Sequence, residues 1–310
     1  MTAENIQAAA WWAVACSEEV TSKKPLSVDI GDQPIVLWRD QNGVARALED
    51  RCPHRRAPLS RGCVRQDGLI QCGYHGWSYD GETGRLREIP NMKDEQRFPP
   101  LYKAQSFAVA ESAGFVRVAL QAQPGATLPD GAAFKLHGTT HVGLAHDQYL
   151  AAFFDAPELL LRIRGVHFTP YLASELRLED GRLVMERNCQ WQAPHWPAPF
   201  TSDFPISLLS STDPVTGETV CTLRDSSLTE LLTVVIAPTP ASRGLTAIRW
   251  RARLGANLPS VWAKQLALGA AFKVFGAIDA AALRKVIPSA SLHGTDLRAA
   301  FLQPNQANAA

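Results

Sequence analysis

The sequence predicts an α+β chain, with an N-terminal all-β part followed by an antiparallel sheet and one long late helix. Three observations carry that expectation. The first 120 residues read as short β-rich runs between turn-forming residues. Residues 121–132 (QAQPGATLPDGA) are Pro/Gly-punctuated and poor in bulky apolar side chains, as a link between domains is. A helical period appears only late, from about Pro259 to Ile287.

Pro34 to Arg39 (PIVLWR) and Val44 to Leu48 flank Asp40-Gln41-Asn42-Gly43, where the Asn-Gly pair predicts a tight hairpin with positive φ angles. Leu69 to Cys72 and Trp77 to Tyr79 follow, then the turn Asp80-Gly81-Glu82-Thr83-Gly84. Phe107 to Ala110 and Phe115 to Leu120 are expected to pair across Glu111-Ser112-Ala113-Gly114. Strands this short, with turns this regular, suggest a small antiparallel barrel or sandwich. The second half offers strands at Leu183 to Trp191, Thr219 to Leu223, Leu231 to Ala237 and Leu245 to Leu254. In the late helix Leu268, Phe272, Phe275, Ile278 and Ala282 step by three or four, and Pro288 stops it. No repeat or low-complexity tract appears, and the tail PNQANAA reads as frayed.

Composition narrows the function classes. With 310 residues, 46% hydrophobic and 20% charged, the chain is ordinary for a globular protein of two domains or one large one. Its 31 basic and 30 acidic residues leave a net charge of +1, with no basic run, which argues against a nucleic-acid partner. The best apolar stretch, Leu231 to Pro238, is strand-sized, so no membrane span is expected. The opening MTAEN is acidic where an export signal would be basic, and a cytoplasmic protein is expected.

Six cysteines at uneven spacing make no disulfide framework. Cys16, Cys63, Cys189 and Cys221 have no partner at metal-ligand spacing and read as apolar filler or idle thiols. Cys52 and Cys72 differ. Cys52-Pro53-His54 is followed, after residues 55–71, by Cys72-Gly73-Tyr74-His75-Gly76-Trp77. Each half offers one thiolate and one imidazole from a short loop. Zinc fingers group Cys with Cys and His with His, although two of each also make a tetrahedral zinc site. A 2Fe–2S cluster with two Cys on one iron and two His on the other wants the division seen here, and neutral imidazoles raise its potential. The candidate ligands are Cys52, His54, Cys72 and His75, with Gly73 and Gly76 allowing a tight second loop and Pro53 stiffening the first.

C-P-H-R followed by C-x-Y-H-G-W resembles the Rieske iron–sulfur signature as found in Rieske non-haem-iron oxygenases, in particular the vanillate O-demethylase and dicamba-demethylase branch. Trp11-Trp12-Ala13-Val14-Ala15 and Ala57-Pro58-Leu59-Ser60-Arg61-Gly62 fit the flanks of that pattern. The resemblance is good over residues 10 to 120 and rests beyond them on length and element order. It implies a Rieske 2Fe–2S domain at residues 1–122 and a catalytic-type helix-grip domain at 123–310. Ala57 and Tyr74 stand where respiratory members carry an extra disulfide, which implies a lower potential and an oxygenase-type electron carrier.

The family also implies a mononuclear Fe(II) held by two His and one carboxylate. Laid on the family's N-x-x-D-x-x-H-x4-H segment, this chain has Leu161 and Val166 where the two His belong, His167 one residue late, and Glu158 at the linking acid. His137, His141 and His146 fit no facial-triad spacing and read as solvated or hydrogen-bonded histidines. Asp279 resembles the third ligand, or caps a helix starting at Ala280. His195-Trp196-Pro197-Ala198-Pro199 reads as a loop between strands, and Arg162, Arg164 and His167 as a solvated face.

The resemblance therefore implies an oxidoreductase component. It would be a Rieske subunit relaying electrons from a flavin-dependent reductase or a ferredoxin to the mononuclear iron of a sister oxygenase subunit, for hydroxylation or oxidative demethylation. A head-to-tail trimer or hetero-hexamer would bring cluster and iron together. The alternative is a self-sufficient oxygenase component with its own Fe(II). A free-standing ferredoxin-like carrier would not need the second half.

Overall fold

The computed structural model describes residues 10–92, 98–121, 128, 131–155, 167–192 and 206–256. The chain divides into two compact units, one of Gln7–Ala133 with Thr239–Arg243, the other of Phe134–Pro238 with the two terminal stretches. No helix among the described residues is long and apolar enough to cross a membrane.

The first unit is all-β, as its composition of short runs predicts. Strands β1 (Trp12–Cys16), β10 (Phe115–Ala119) and β9 (Ala108–Ser112) form one antiparallel sheet in that order. Strands β2 (Leu26–Ile30), β3 (Gln33–Arg39) and β4 (Ala45–Glu49) form a second. Four very short strands, β5 (Cys63–Val64), β6 (Ile70–Gln71), β7 (Ser78–Tyr79) and β8 (Leu86–Glu88), form a third.

The unbroken apolar run of PIVLW in β3 has a simple cause: the strand is buried on both faces. Ile35 and Leu37 join a cluster with Trp12, Val14, Val116 and Val118. Val36 and Trp38 join the opposite cluster, with Leu48, Leu59, Ile70, Tyr79 and the two cysteines Cys52 and Cys72. Each such fully buried Val, Leu or Ile contributes about 1.5–3 kcal/mol. Trp38, fully buried, satisfies its indole by donating to Gly68 O at 3.0 Å.

The turn at Asp40–Gly43 differs from the expected tight hairpin. Of its residues only Gly43 takes a positive φ (77°), while Asn42 does not. The turn is built on Asp40, whose carboxylate accepts from Asn42 N at 2.9 Å and Val44 N at 3.0 Å while Gly43 N donates to Asp40 O. A side chain that bonds its own turn thus sets the loop length. Asp80 does the same for the next hairpin, accepting from Glu82 N and Thr83 N. Its burial raises the pKa, but those amides and Arg87 outweigh it and hold the carboxyl at about 2. The β9–β10 turn is also tighter than expected, just Ala113-Gly114, both at positive φ.

The second unit is an eight-stranded antiparallel sheet. Its path runs β11 (Leu136–Val142), β18 (Leu245–Leu254), β17 (Glu230–Ala241), β16 (Thr219–Arg224), β15 (Ile206–Thr212), β14 (Arg182–Gln192), β12 (His167–Ala173), with β13 (Arg177–Glu179) paired to β14. The four strands expected there are present, and β11, β12, β13 and β15 add to them. Cys221 and Leu223 of β16, Val234 and Ile236 of β17, and Ile248 and Trp250 of β18 share one core. Helix α1 (His146–Asp155) adds Tyr149, Leu150 and Phe153 to that core. The late helix expected at 259–287 lies outside the described residues, as do Glu158, Leu161, Arg162, Arg164, Val166, His195–Pro199 and Asp279.

Candidate metal centre

Both candidate loops leave buried strands, and both close by the same backbone pattern. In Cys52–Ala57, Arg56 N donates to Cys52 O at 2.8 Å and Cys52 N to Ala57 O at 2.8 Å. In Cys72–Trp77, Gly76 N donates to Cys72 O at 3.0 Å and Cys72 N to Trp77 O at 2.9 Å. The fifth residue of each loop is left-handed, Arg56 at φ 59° and Gly76 at φ 71°. One hydrogen-bonded ring is therefore built twice, with His third in the first copy and fourth in the second. Gly76 is required on two counts, since a Cβ there would also stand 2.7 Å from Pro90 Cγ. The role expected for Gly73 is a close approach instead, with a Cβ falling 2.9 Å from Arg61 O.

The pattern brings all four candidate ligands together. Cys52 and Cys72 are buried, with their sulfurs within hydrogen-bonding reach of each other. Outside them, the His54 and His75 rings lie 4.7 Å apart. His54 is half-buried and His75 exposed. His54 Nδ1 is buried with no hydrogen-bond partner among the described residues, an arrangement a metal bond would satisfy. Among the described residues no three His, Cys, Asp or Glu side chains are grouped for a single ion. These four divide instead into an inner pair of thiols and an outer pair of imidazoles.

Electrostatics suit that division. Burial raises the Cys72 thiol, and the neighbouring Cys52 raises it further, so without a metal Cys72 stays protonated. Burial lowers His54, as do His75 and Arg55, so the neutral imidazole is the form presented. The donor set fits a [2Fe–2S] cluster with two thiolates on one iron and two imidazoles on the other.

Three supporting residues had not been singled out for a role. Tyr79, fully buried on β7, places its hydroxyl 3.1 Å from Cys52 Sγ, and burial followed by that contact raises its pKa. Trp77 stacks on His54 at 4.2 Å and 3°, which fixes the imidazole plane. Asp50 accepts from Ser60 N at 2.7 Å, Ser60 Oγ at 2.6 Å and Ser27 Oγ at 2.9 Å, fastening segment 58–62 beside the first loop. Tyr79 could have been found from its place two residues beyond Trp77, on the strand that carries the second loop. Asp50 gave no signal, because its partners are Ser27, 23 residues upstream, and Ser60, 10 downstream.

The other candidates stand apart. His137 and His141 are exposed on β11, not in a loop, and His146 is buried, donating from Nε2 to Thr216 O at 3.1 Å. Cys16 and Cys221 are buried thiols, Cys221 pushed up to about 12 by burial, and Cys63 is an exposed one.

The Rieske [2Fe-2S] domain family matches residues 10–107. Over 107 residues the chain is 43% identical to the vanillate O-demethylase oxygenase subunit of Pseudomonas sp. (strain HR199 / DSM 7063), covering 34% of this chain and 28% of the relative. Over 102 residues it is 42% identical to the dicamba O-demethylase oxygenase component of Stenotrophomonas maltophilia, covering 33% of this chain and 29% of that one. The sequence match therefore spans under a third of either relative. A crystal structure of dicamba monooxygenase with non-heme iron and dicamba superposes with TM-score 0.63 at 22% identity, over 98% of this chain and 91% of that one. Shared fold thus extends along the whole chain, while close sequence kinship is confined to the part holding the two loops. Residues 10–107 match the Rieske [2Fe-2S] domain family and are similar there to the oxygenase components of vanillate and dicamba O-demethylases.

Proposed function

We propose that the chain is the Rieske subunit of a non-haem-iron oxygenase system, relaying electrons from a flavin-dependent reductase or a ferredoxin to the mononuclear iron of a partner subunit. The reaction served is hydroxylation or oxidative demethylation. Cys52 and Cys72 would hold one iron through sulfur, and His54 and His75 the other through imidazole nitrogen. The observation that carries this reading is the inner pair of buried thiols beneath an outer pair of imidazoles, one with a bare buried Nδ1. When bound, the cluster supplies one-electron redox chemistry at a potential raised by its imidazole ligands. The chain's own residues do the rest. Tyr79 donates to the Cys52 sulfur, Trp77 orients His54, and His75 presents an exposed edge through which a redox partner is reached.

We assign residues 1–122 to the cluster domain and 123–310 to the catalytic-type domain, in a head-to-tail trimer or hetero-hexamer in the cytoplasm. Leu161 and Val166 at the positions of the family's iron-binding His are what favour a partner's iron over the chain's own. A second reading, a self-sufficient oxygenase component, is favoured by the fold shared along the whole length with an iron-containing dicamba monooxygenase. Iron and sulfide measured on the reconstituted full chain separate the two. Two irons per two sulfides are expected, and three per two establish the second reading. Cys72→Ser is expected to abolish the red-brown chromophore and the rhombic signal of the reduced protein. If colour and signal survive, the ligand assignment is wrong.

A further inference from the structure

We infer that Gln71 is the positioning residue of the second candidate loop: its side-chain amide holds the Gly76 carbonyl and, through it, the place of the candidate ligand His75. The inference rests on the cluster reading above and adds what fixes one of its ligands. Gln71 ends β6, immediately before Cys72, and its Nε2 reaches forward to donate to Gly76 O at 3.0 Å. Its Oε1 accepts from the Cys63 thiol at 3.6 Å. A carbonyl can only accept, so the amide must turn its nitrogen to Gly76, which leaves its oxygen for the thiol. The same carbonyl accepts from Ser78 Oγ at 3.4 Å, a hydroxyl that in turn accepts from Arg65 Nη1 at 3.3 Å.

The base of this latch is rigid. Gln71 pairs with Cys63 of β5 on one side and Ser78 of β7 on the other. Gly62 packs on its backbone so closely that a Cβ there would stand 1.8 Å from Gln71 O. The far end is not rigid by itself. Gly76 is glycine because its φ is 71° and Pro90 leaves no room for a Cβ, and glycine brings the widest backbone freedom of any residue. Within the loop, Gly76 is held by its N–H, which donates to Cys72 O. Its carbonyl is held from outside, by Gln71 and, at longer range, by Ser78. His75 is the residue just before that glycine. His54 has the Trp77 indole flat against its ring, whereas His75 is exposed and its ring neighbours are tilted, Tyr74 at 37° and His54 at 55°. The backbone that carries His75 is therefore what must be held. In the first loop the residue matching Gln71 is Arg51, which turns to Glu49 at 3.7 Å instead. That loop is fastened by Asp50 and Ser60. The latch belongs to one loop only, so its loss moves one imidazole rather than both.

The test uses the full chain with its cluster reconstituted and chemically reduced. Pulsed electron paramagnetic resonance reads the nitrogen hyperfine couplings of the two imidazoles. Gln71→Glu, with its carboxylate ionised, keeps the shape and removes the donor, and Gln71→Leu removes both polar atoms. In each, one of the two couplings is expected to shift while the other stays. Iron loss to a ferrous chelator is expected to quicken about three- to tenfold, the contribution of one hydrogen bond. The control, Asp40→Ala, removes the side chain that caps another turn of the same unit. It is expected to lower the urea midpoint and leave both couplings alone. Couplings that both stay put in a coloured Gln71 variant, that both shift alike, or that shift equally in Asp40→Ala overturn the role of Gln71. A Gln71 variant that takes up no cluster yet unfolds at the midpoint of the wild-type apo-chain supports it, and one that does not fold overturns it. A colourless wild type defeats the cluster reading instead, and the assignment with it.

Discussion

Tyr79 shows what one hydroxyl contributes at this site. Fully buried and 3.1 Å from Cys52 Sγ, it stabilises extra negative charge on the sulfur, which grows when the centre gains an electron. Tyr79→Phe keeps the packing and removes the donor. The reduction potential should fall by about 60 mV, since a hydrogen bond to a charged group is worth about 1.5 kcal/mol and 59 mV is about 1.4 kcal/mol for one electron. Potentiometric titration of wild type and variant measures it, and an unchanged potential removes Tyr79 from the tuning role. The candidate ligands could be picked out in the sequence because each Cys and His pair is local and glycine marks the close turns. Tyr79 and Asp50 were not, because their roles exist only once strands and loops distant along the chain are brought together.

Turns are where elements of this chain repeat a solution. Asp225 caps its turn as Asp40 does, accepting from Ser227 N at 2.8 Å and Thr229 N at 2.9 Å. Leu228 N donates to Asp225 O as Gly43 N donates to Asp40 O. The left-handed position, glycine at 43, is here Leu228 at φ 61°, a residue 69% exposed. An exposed leucine in that conformation carries strain and little packing in return. Leu228→Gly should therefore stabilise the chain by about 1 kcal/mol, read as a higher urea midpoint with unchanged m. A lower midpoint would show that Leu228 makes a contact worth more than the strain.

The elements that sequence reading missed have physical reasons too. β11 is an edge strand whose exposed positions include His137 and His141, and its Gly138 is opposite Trp250, so close that a Cβ would lie 2.7 Å from the indole. A glycine that looks like a breaker is there to admit a ring. β15 (ISLLSST) blurs its alternation with serines, and pairing on both sides by β14 and β16 supplies what the pattern lacks. Asn42-Gly43 misled for the opposite reason, since the Asp40 carboxylate overrode a strong local signal.

At the scale of the whole molecule, two of the four proposed metal ligands are part of a hydrophobic core. Cys52 and Cys72 pack with Val36, Trp38, Leu59 and Ile70, and β3 joins that core to the one around Val14 and Val116. Stripping iron would leave two buried cysteines and the His54 Nδ1 without a partner, so binding free energy is also folding free energy. Calorimetric unfolding of the full chain should move down by several degrees on iron removal and recover on reconstitution, and an unmoved transition would show that the loops hold without metal. The broad architecture was legible because alternation and turn residues report single strands faithfully. Sheet order, set by tertiary pairing, was not.

Arg56 occupies the backbone position that the second loop fills with glycine. An engineer seeking thermostability would write glycine at 56 and gain from a relaxed backbone. The same edit would erase one guanidinium and its pairing with Glu49, trading a salt bridge beside the first loop for an easier turn.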